Sequence, residues 1–114
     1  MPDPRRSAKM NNPKAKLICT LEELIKLLDS DGESHWSAWM KSAKERISRD
    51  DGSGLQKLLS AYGGMGSFND LIVGQRTSGG KFEWKPGAQE LNGRLEKLRN
   101  EAYDLAVELR APKN

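Results

Sequence analysis

Asp29, Asp31 and Glu33 alternate around Gly32, a spacing of carboxylates that invites a calcium reading. A calcium loop starting at Asp29 needs a glycine at its sixth position for the sharp turn and a glutamate at its twelfth. Those positions hold Ser34 and Met40, so the stretch reads as a charged turn between helices. His35 is the single histidine and Cys19 the single cysteine. His35 has no neighbouring Cys or His to share a metal and no nucleophile beside it, so zinc binding and Ser–His or Cys–His catalysis lack their donor sets. Cys19 alone builds no internal disulfide, which suits a reducing cytoplasm. The sequence predicts no catalytic group, no metal and no cofactor.

The densest unusual chemistry lies in Gly63-Gly64-Met65-Gly66-Ser67-Phe68-Asn69-Asp70-Leu71. Such glycines can cradle a phosphate with backbone amides. A P-loop, however, places Lys and Ser/Thr directly after its glycines, and Gly66-Ser67 lacks the Lys. The dinucleotide fingerprint follows a strand, whereas the segment before Gly63 reads as a helix. A helix stop, a tight turn and a helix restart account for the stretch better. Gly63 and Gly64 would close the preceding helix in the left-handed conformation. Gly66 would allow a second reversal, and Ser67 with Asp70 three residues on would cap the restart. Phe68, Leu71 and Ile72 would anchor it in the core. The polar remainder supplies the predicted partner contacts: Met65, Ser67, Asn69 and Asp70, joined by Trp36 if its ring is exposed.

Helices must position these groups. Thr20-Leu21-Glu22-Glu23 reads as a capping box, followed by Leu21, Leu24, Ile25 and Leu28 on one face. Ser34 would cap a second helix over 35–49, with Trp36, Trp39, Met40, Ala43 and Ile47 on its apolar stripe. That stripe is the expected source of core side chains. After the turn Asp50-Asp51-Gly52-Ser53-Gly54, Leu55, Leu58, Leu59 and Tyr62 mark a short helix over 54–62. Leu71–Arg76 and Lys81–Lys85 flank Thr77-Ser78-Gly79-Gly80, the pattern of a hairpin with Phe82 and Trp84 on one face. Pro86-Gly87 introduces a last helix over 88–110. Its Leu91, Leu95, Leu98, Ala102, Leu105 and Leu109 form a heptad seam, open either to the chain's own bundle or to a homodimer through 91–109. Glu90 and Arg94 are in the favourable i,i+4 orientation.

The fold expected is mainly α: a four-helix, bundle-like single domain with a short β excursion near 71–85. A chain of 114 residues suits one domain with a modest core. At 36% hydrophobic and 31% charged residues, with mean hydropathy -0.75, part of it should lie outside that core. Residues 1–16, with Pro2, Pro4 and Pro13 and no apolar period, read as a disordered basic leader, 17–110 as the domain and 111–114 as a tail. The longest apolar runs fall far short of the ~20 residues that span a bilayer. The leader carries Arg5, Arg6, Lys9, Lys14 and Lys16 against Asp3, leaving 14 basic and 15 acidic residues beyond it. The sequence pI of about 9.1 therefore arises in the leader, with no basic face of the domain behind it.

The nine-residue stretch Gly63–Leu71 resembles a signature in a family of small uncharacterised bacterial proteins, which pair an upstream Trp-containing helix with a downstream Leu-rich one. The resemblance covers roughly residues 20–109 and implies a bacterial origin without implying an activity. The function expected is a non-enzymatic, cytoplasmic protein-interaction or regulatory module, by analogy an immunity or adaptor protein. The alternative is a nucleic-acid-binding accessory protein using the leader and the Lys-rich hairpin, with Phe82 and Trp84 stacking on bases.

Overall fold

The computed structural model describes residues 12–63 and 66–110. Most of the expected leader, together with Gly64, Met65 and the tail 111–114, lies outside them. The described chain is mainly helical: α1 (Pro13–Ser30), α2 (Ser34–Ser48), α3 (Ser53–Ser60), a 3-10 turn (Phe68–Asp70), β1 (Gln75–Ser78), β2 (Lys81–Trp84) and α4 (Ala88–Arg110). Helix α1 packs against α2 and α4, and α3 against α2 and α4. The expected bundle with a short hairpin is what the chain forms.

Helix α1 starts earlier than its sequence suggests. Asn12 caps it, its Oδ1 accepting from the amides of Lys14 (3.0 Å) and Ala15 (3.4 Å), with Pro13 in the first turn. Residues 13–16, expected to belong to the leader, are thus helical, and the Thr20 capping box is no cap. Thr20 is buried in mid-helix, its hydroxyl donating back to the Lys16 carbonyl at 3.0 Å and lying 3.3 Å from Glu101 Oε1 of α4. Leu17, Leu21, Leu24 and Leu28 are fully buried along the same face.

Local chemistry ends the first two helices alike. Gly32 (φ +75°) lets the Glu33 amide reach the Leu28 carbonyl at 2.9 Å and the Gly32 amide reach Asp29 at 3.1 Å. After α2, Asp50 takes the left-handed position (φ +59°), and the Asp51 amide reaches the Arg46 carbonyl at 2.9 Å. Ser34 is the first residue of α2 and Glu33 precedes it without a side-chain cap, so the expected Ser34 cap is not formed. The Asp51 carboxylate accepts from the Ser53 amide (2.9 Å) and hydroxyl (2.8 Å) at the entry to α3. Gly54 is buried there, and a Cβ on it would stand 2.7 Å from the Ile47 backbone nitrogen, so α3 approaches α2 as closely as a glycine permits.

The core joins these faces to α4, whose Leu95, Leu98, Ala102 and Leu105 are buried. Four residues of the 91–109 seam thus face the chain's own core, while Leu91 and Leu109 at its ends are partly buried against it. Arg94 pairs with Glu23 of α1 at 2.8 Å, a tie across the bundle. Phe68 is wholly buried, contributing about 2–3 kcal/mol.

Candidate interaction groove

The glycine-rich stretch leaves α3 and returns to it: the Phe68 amide donates to the Ala61 carbonyl at 2.9 Å and closes the excursion. The helix stops at Ser60, ahead of the glycines. Gly66 is left-handed (φ +77°), as its type suggests, but Gly63 is not, contrary to the conformation expected of it, and Gly64 lies outside the described residues. The Ser67 hydroxyl accepts from the Asn69 amide at 3.3 Å and caps the 3-10 turn. Asp70 reaches back one residue further than a capping box, its Oδ2 accepting from the Gly66 amide at 2.8 Å.

Beyond the turn the chain is extended, so side chains alternate. Leu71 packs against the core, Val73 is fully buried, and Ile72 points outward at 51% exposure. The expectation that Ile72 anchors the core is wrong because the segment follows a two-residue rather than a helical period. Asn92 of α4 holds this segment like a neighbouring strand. Its Oδ1 accepts from the Val73 amide and its Nδ2 donates to the Val73 carbonyl, both at 2.8 Å. Arg99 Nη1 lies 3.2 Å from the Phe68 carbonyl and 3.3 Å from that of Leu71.

Asp31 pins the base of the hairpin. Its side chain is 4% exposed, takes the Gly74 amide at 3.1 Å on both carboxylate oxygens, and binds Lys85 Nζ at 2.9 Å. Gly74 (φ +79°) fits only without a side chain, since a Cβ would lie 2.7 Å from that of Ala88. The other acids of the calcium-like run are also engaged or dispersed. The Ser37 hydroxyl, then the Lys41 ammonium, hold the Asp29 carboxyl below its ordinary titration range. No group of three or more metal-ligating side chains forms among the described residues.

The hairpin pairs Gln75 with Trp84, Arg76 with Glu83, Thr77 with Phe82 and Ser78 with Lys81. Gly79 (φ +58°) and Gly80 (φ +79°) form the two-residue turn. Phe82 and Trp84 share a face as expected, their rings edge-to-face at 5.1 Å. Both remain more than half exposed.

These features border an open, shallow groove of about 510 Å³ between the 69–72 segment, Trp84 and α4. Leu95 is its floor, Ile72 and Trp84 its walls, and Asn69, Asp70 and Glu96 its polar rim. Of the predicted contact residues, the structure brings Asn69 and Asp70 to this groove. Ser67 is spent on its cap, and Met65 lies outside the described residues. Trp36 is elsewhere, half-buried against Phe68 (5.2 Å between ring centroids) and Trp39 (5.6 Å). Trp39 Nε1 donates to the Lys57 carbonyl at 2.9 Å while Lys57 Nζ lies 4.3 Å from its ring centroid, so the tryptophan stripe joins α2 to α3.

Residues 29–81 match the model of a family described as a domain of unknown function (DUF6966). The match runs from the end of α1 to the first residue of β2, taking in Asp31, the glycine-rich turn and Ile72 but not α4. No curated protein and no solved structure matches the chain. No described helix is long and apolar enough to cross a membrane.

Proposed function

We propose that this chain is a non-enzymatic protein-interaction module of a bacterial cytoplasm, and that its contact surface is the groove between Asn69–Ile72, Trp84 and α4. The observation that carries the reading is the pairing of two large exposed apolar side chains, Ile72 at 51% and Trp84 at 53%, across a polar-rimmed groove with a buried floor. An aromatic and an aliphatic wall within a polar rim is the usual composition of a binding centre. Asp31, Asn92 and Arg99 hold the backbone in place beforehand, which lowers the ordering cost of association.

The nucleic-acid alternative gains less from the hairpin than its lysine content suggests. Arg76 engages Glu83 at 3.2 Å and Lys85 engages Asp31, so two of its cations already face carboxylates.

Quantitative capture from a bacterial lysate tests the proposal, with wild type, Ile72→Asp and Asn69→Ala/Asp70→Ala as baits and Lys26→Glu, on the exposed face of α1, as control. A defined set of proteins should be retained by wild type and control and depleted about tenfold or more by both groove variants. Equal recovery by all four baits removes the groove from consideration. Capture of nucleic acid that falls steeply with salt favours the alternative instead.

A further inference from the structure

Strand β2 has an edge and a face without a partner among the described residues, and the hairpin's register fixes which atoms lie on that edge. The Lys85 amide donates to the Gly74 carbonyl at 2.7 Å, so 74 and 85 occupy a hydrogen-bonding position of the ladder, with the Gly74 amide turned to Asp31 instead. Antiparallel ladders alternate bonded and non-bonded pairs, which makes Arg76/Glu83 and Ser78/Lys81 the other bonded pairs. The amides and carbonyls of Phe82 and Trp84 therefore point away from β1. A two-stranded ribbon is marginal alone, and an open edge is a template for another strand.

We propose that β2 pairs antiparallel with β2 of a second copy of this chain, with the two-fold axis passing between the two Phe82 residues. Phe82 then meets Phe82 of the second copy as a hydrogen-bonded pair. On the opposite face Lys81 stands across from Glu83 of the second copy, and Glu83 across from Lys81 of the second copy. The strand Lys81-Phe82-Glu83-Trp84-Lys85 is thus complementary to itself, as an isologous interface requires. Trp84, already edge-on to Phe82, comes diagonal to the second copy's Phe82, within reach of an aromatic pair.

Charge selects this register over those with the same backbone phase. An axis at Glu83 sets Glu83 against itself and Lys81 against Lys85, like charges directly opposed. An axis at Trp84 sets Phe82 against Pro86, which has no amide to donate. The axis at Phe82 also keeps the two helical bodies at opposite ends of a four-stranded ribbon. The pairing goes beyond the groove reading, because it uses the backbone edge and the charged face of β2.

Sedimentation equilibrium of the full chain tests the pairing. Wild type should show a concentration-dependent dimer. Lys81→Glu alone and Glu83→Lys alone should each weaken it by about tenfold or more, since two attractive pairs become repulsive. Mixing the two variants should restore dimers, because one chain then presents carboxylates at positions 81 and 83 and the other presents ammonium groups there; this recovery also establishes that both variants fold. A wild type that stays monomeric overturns the proposal, as do variants that dimerise like wild type through another surface. Tighter dimers from Lys81→Glu place the axis at Glu83 and overturn this register. Ile72→Asp, which disables the proposed groove, should leave dimerisation unchanged.

Discussion

Tyr62 lies edge-on to both Phe68 (5.7 Å) and Tyr103 (5.1 Å), and its hydroxyl donates to the Arg99 carbonyl of α4 at 2.8 Å. Burial pushes its titration well above the ordinary tyrosine range, the nearby Arg99 charge opposing that rise and Asp104 adding to it. A folded state that holds this proton more tightly than the unfolded chain contributes stability that is complete below about pH 10 and is lost as pH rises further. Urea denaturation across the alkaline range should show that loss. Tyr62→Phe should flatten it while costing about 1 kcal/mol at neutral pH for the missing hydrogen bond; an unchanged alkaline slope in the variant counts against the account. Residue roles of this kind were legible where the partner is local. Ser67 and Asp70 announce their turn because both bonds close within four residues. Asp31, Asn92 and Arg99 gave no such signal, since their backbone partners stand 43, 19 and 28 residues away.

At the scale of elements, α2, α3 and α4 follow from apolar period and turn residues with shifts of one or two positions, whereas β1 runs over 75–78 rather than 71–76 and takes Thr77 and Ser78 out of the expected turn. Two departures share one cause, a local pattern overridden by what the chain must bury. Thr20-Leu21-Glu22-Glu23 has the composition of a start, yet Asn12-Pro13 caps the helix a full two turns earlier, and Leu17 then joins the core. Leu71-Ile72-Val73 has the composition of a buried run, yet the extended backbone sends Ile72 outward. The hairpin's attachment is the element most open to test. Asn92→Ala removes three hydrogen bonds, two to Val73 and one to the Ala88 carbonyl. Amide exchange at Val73 should accelerate about tenfold or more while the Leu21–Leu28 amides of α1 keep their protection. Equal acceleration in both places would mean that Asn92 supports the whole bundle rather than this segment.

For the whole molecule, the helical body and the hairpin divide the work of stability and presentation. The body holds the buried leucines and Phe68, whereas the hairpin's large side chains face solvent. Because Gly74 and Lys85 already meet at 2.7 Å, the ends left by removing residues 75–84 are adjacent and a short Gly-rich turn can join them. Such a variant should keep its helical circular dichroism and unfold within about 1 kcal/mol of wild type. Loss of cooperative unfolding would show that the hairpin belongs to the core after all. The groove was less legible than the bundle for the same reason: its walls come from Ile72 and Trp84, its floor from Leu95, and only the folded chain brings them together.

The placement of the three tryptophans has an optical consequence. Trp36 and Trp39 sit half-buried in one aromatic cluster with His35, whereas Trp84 stands 53% exposed on the projecting hairpin. Their fluorescence therefore divides into a shielded, bluer component from the body and a water-relaxed, quencher-accessible component from Trp84. The molecule carries its own reporter at the wall of its groove, and occupation of that wall registers as a blue shift without an added label.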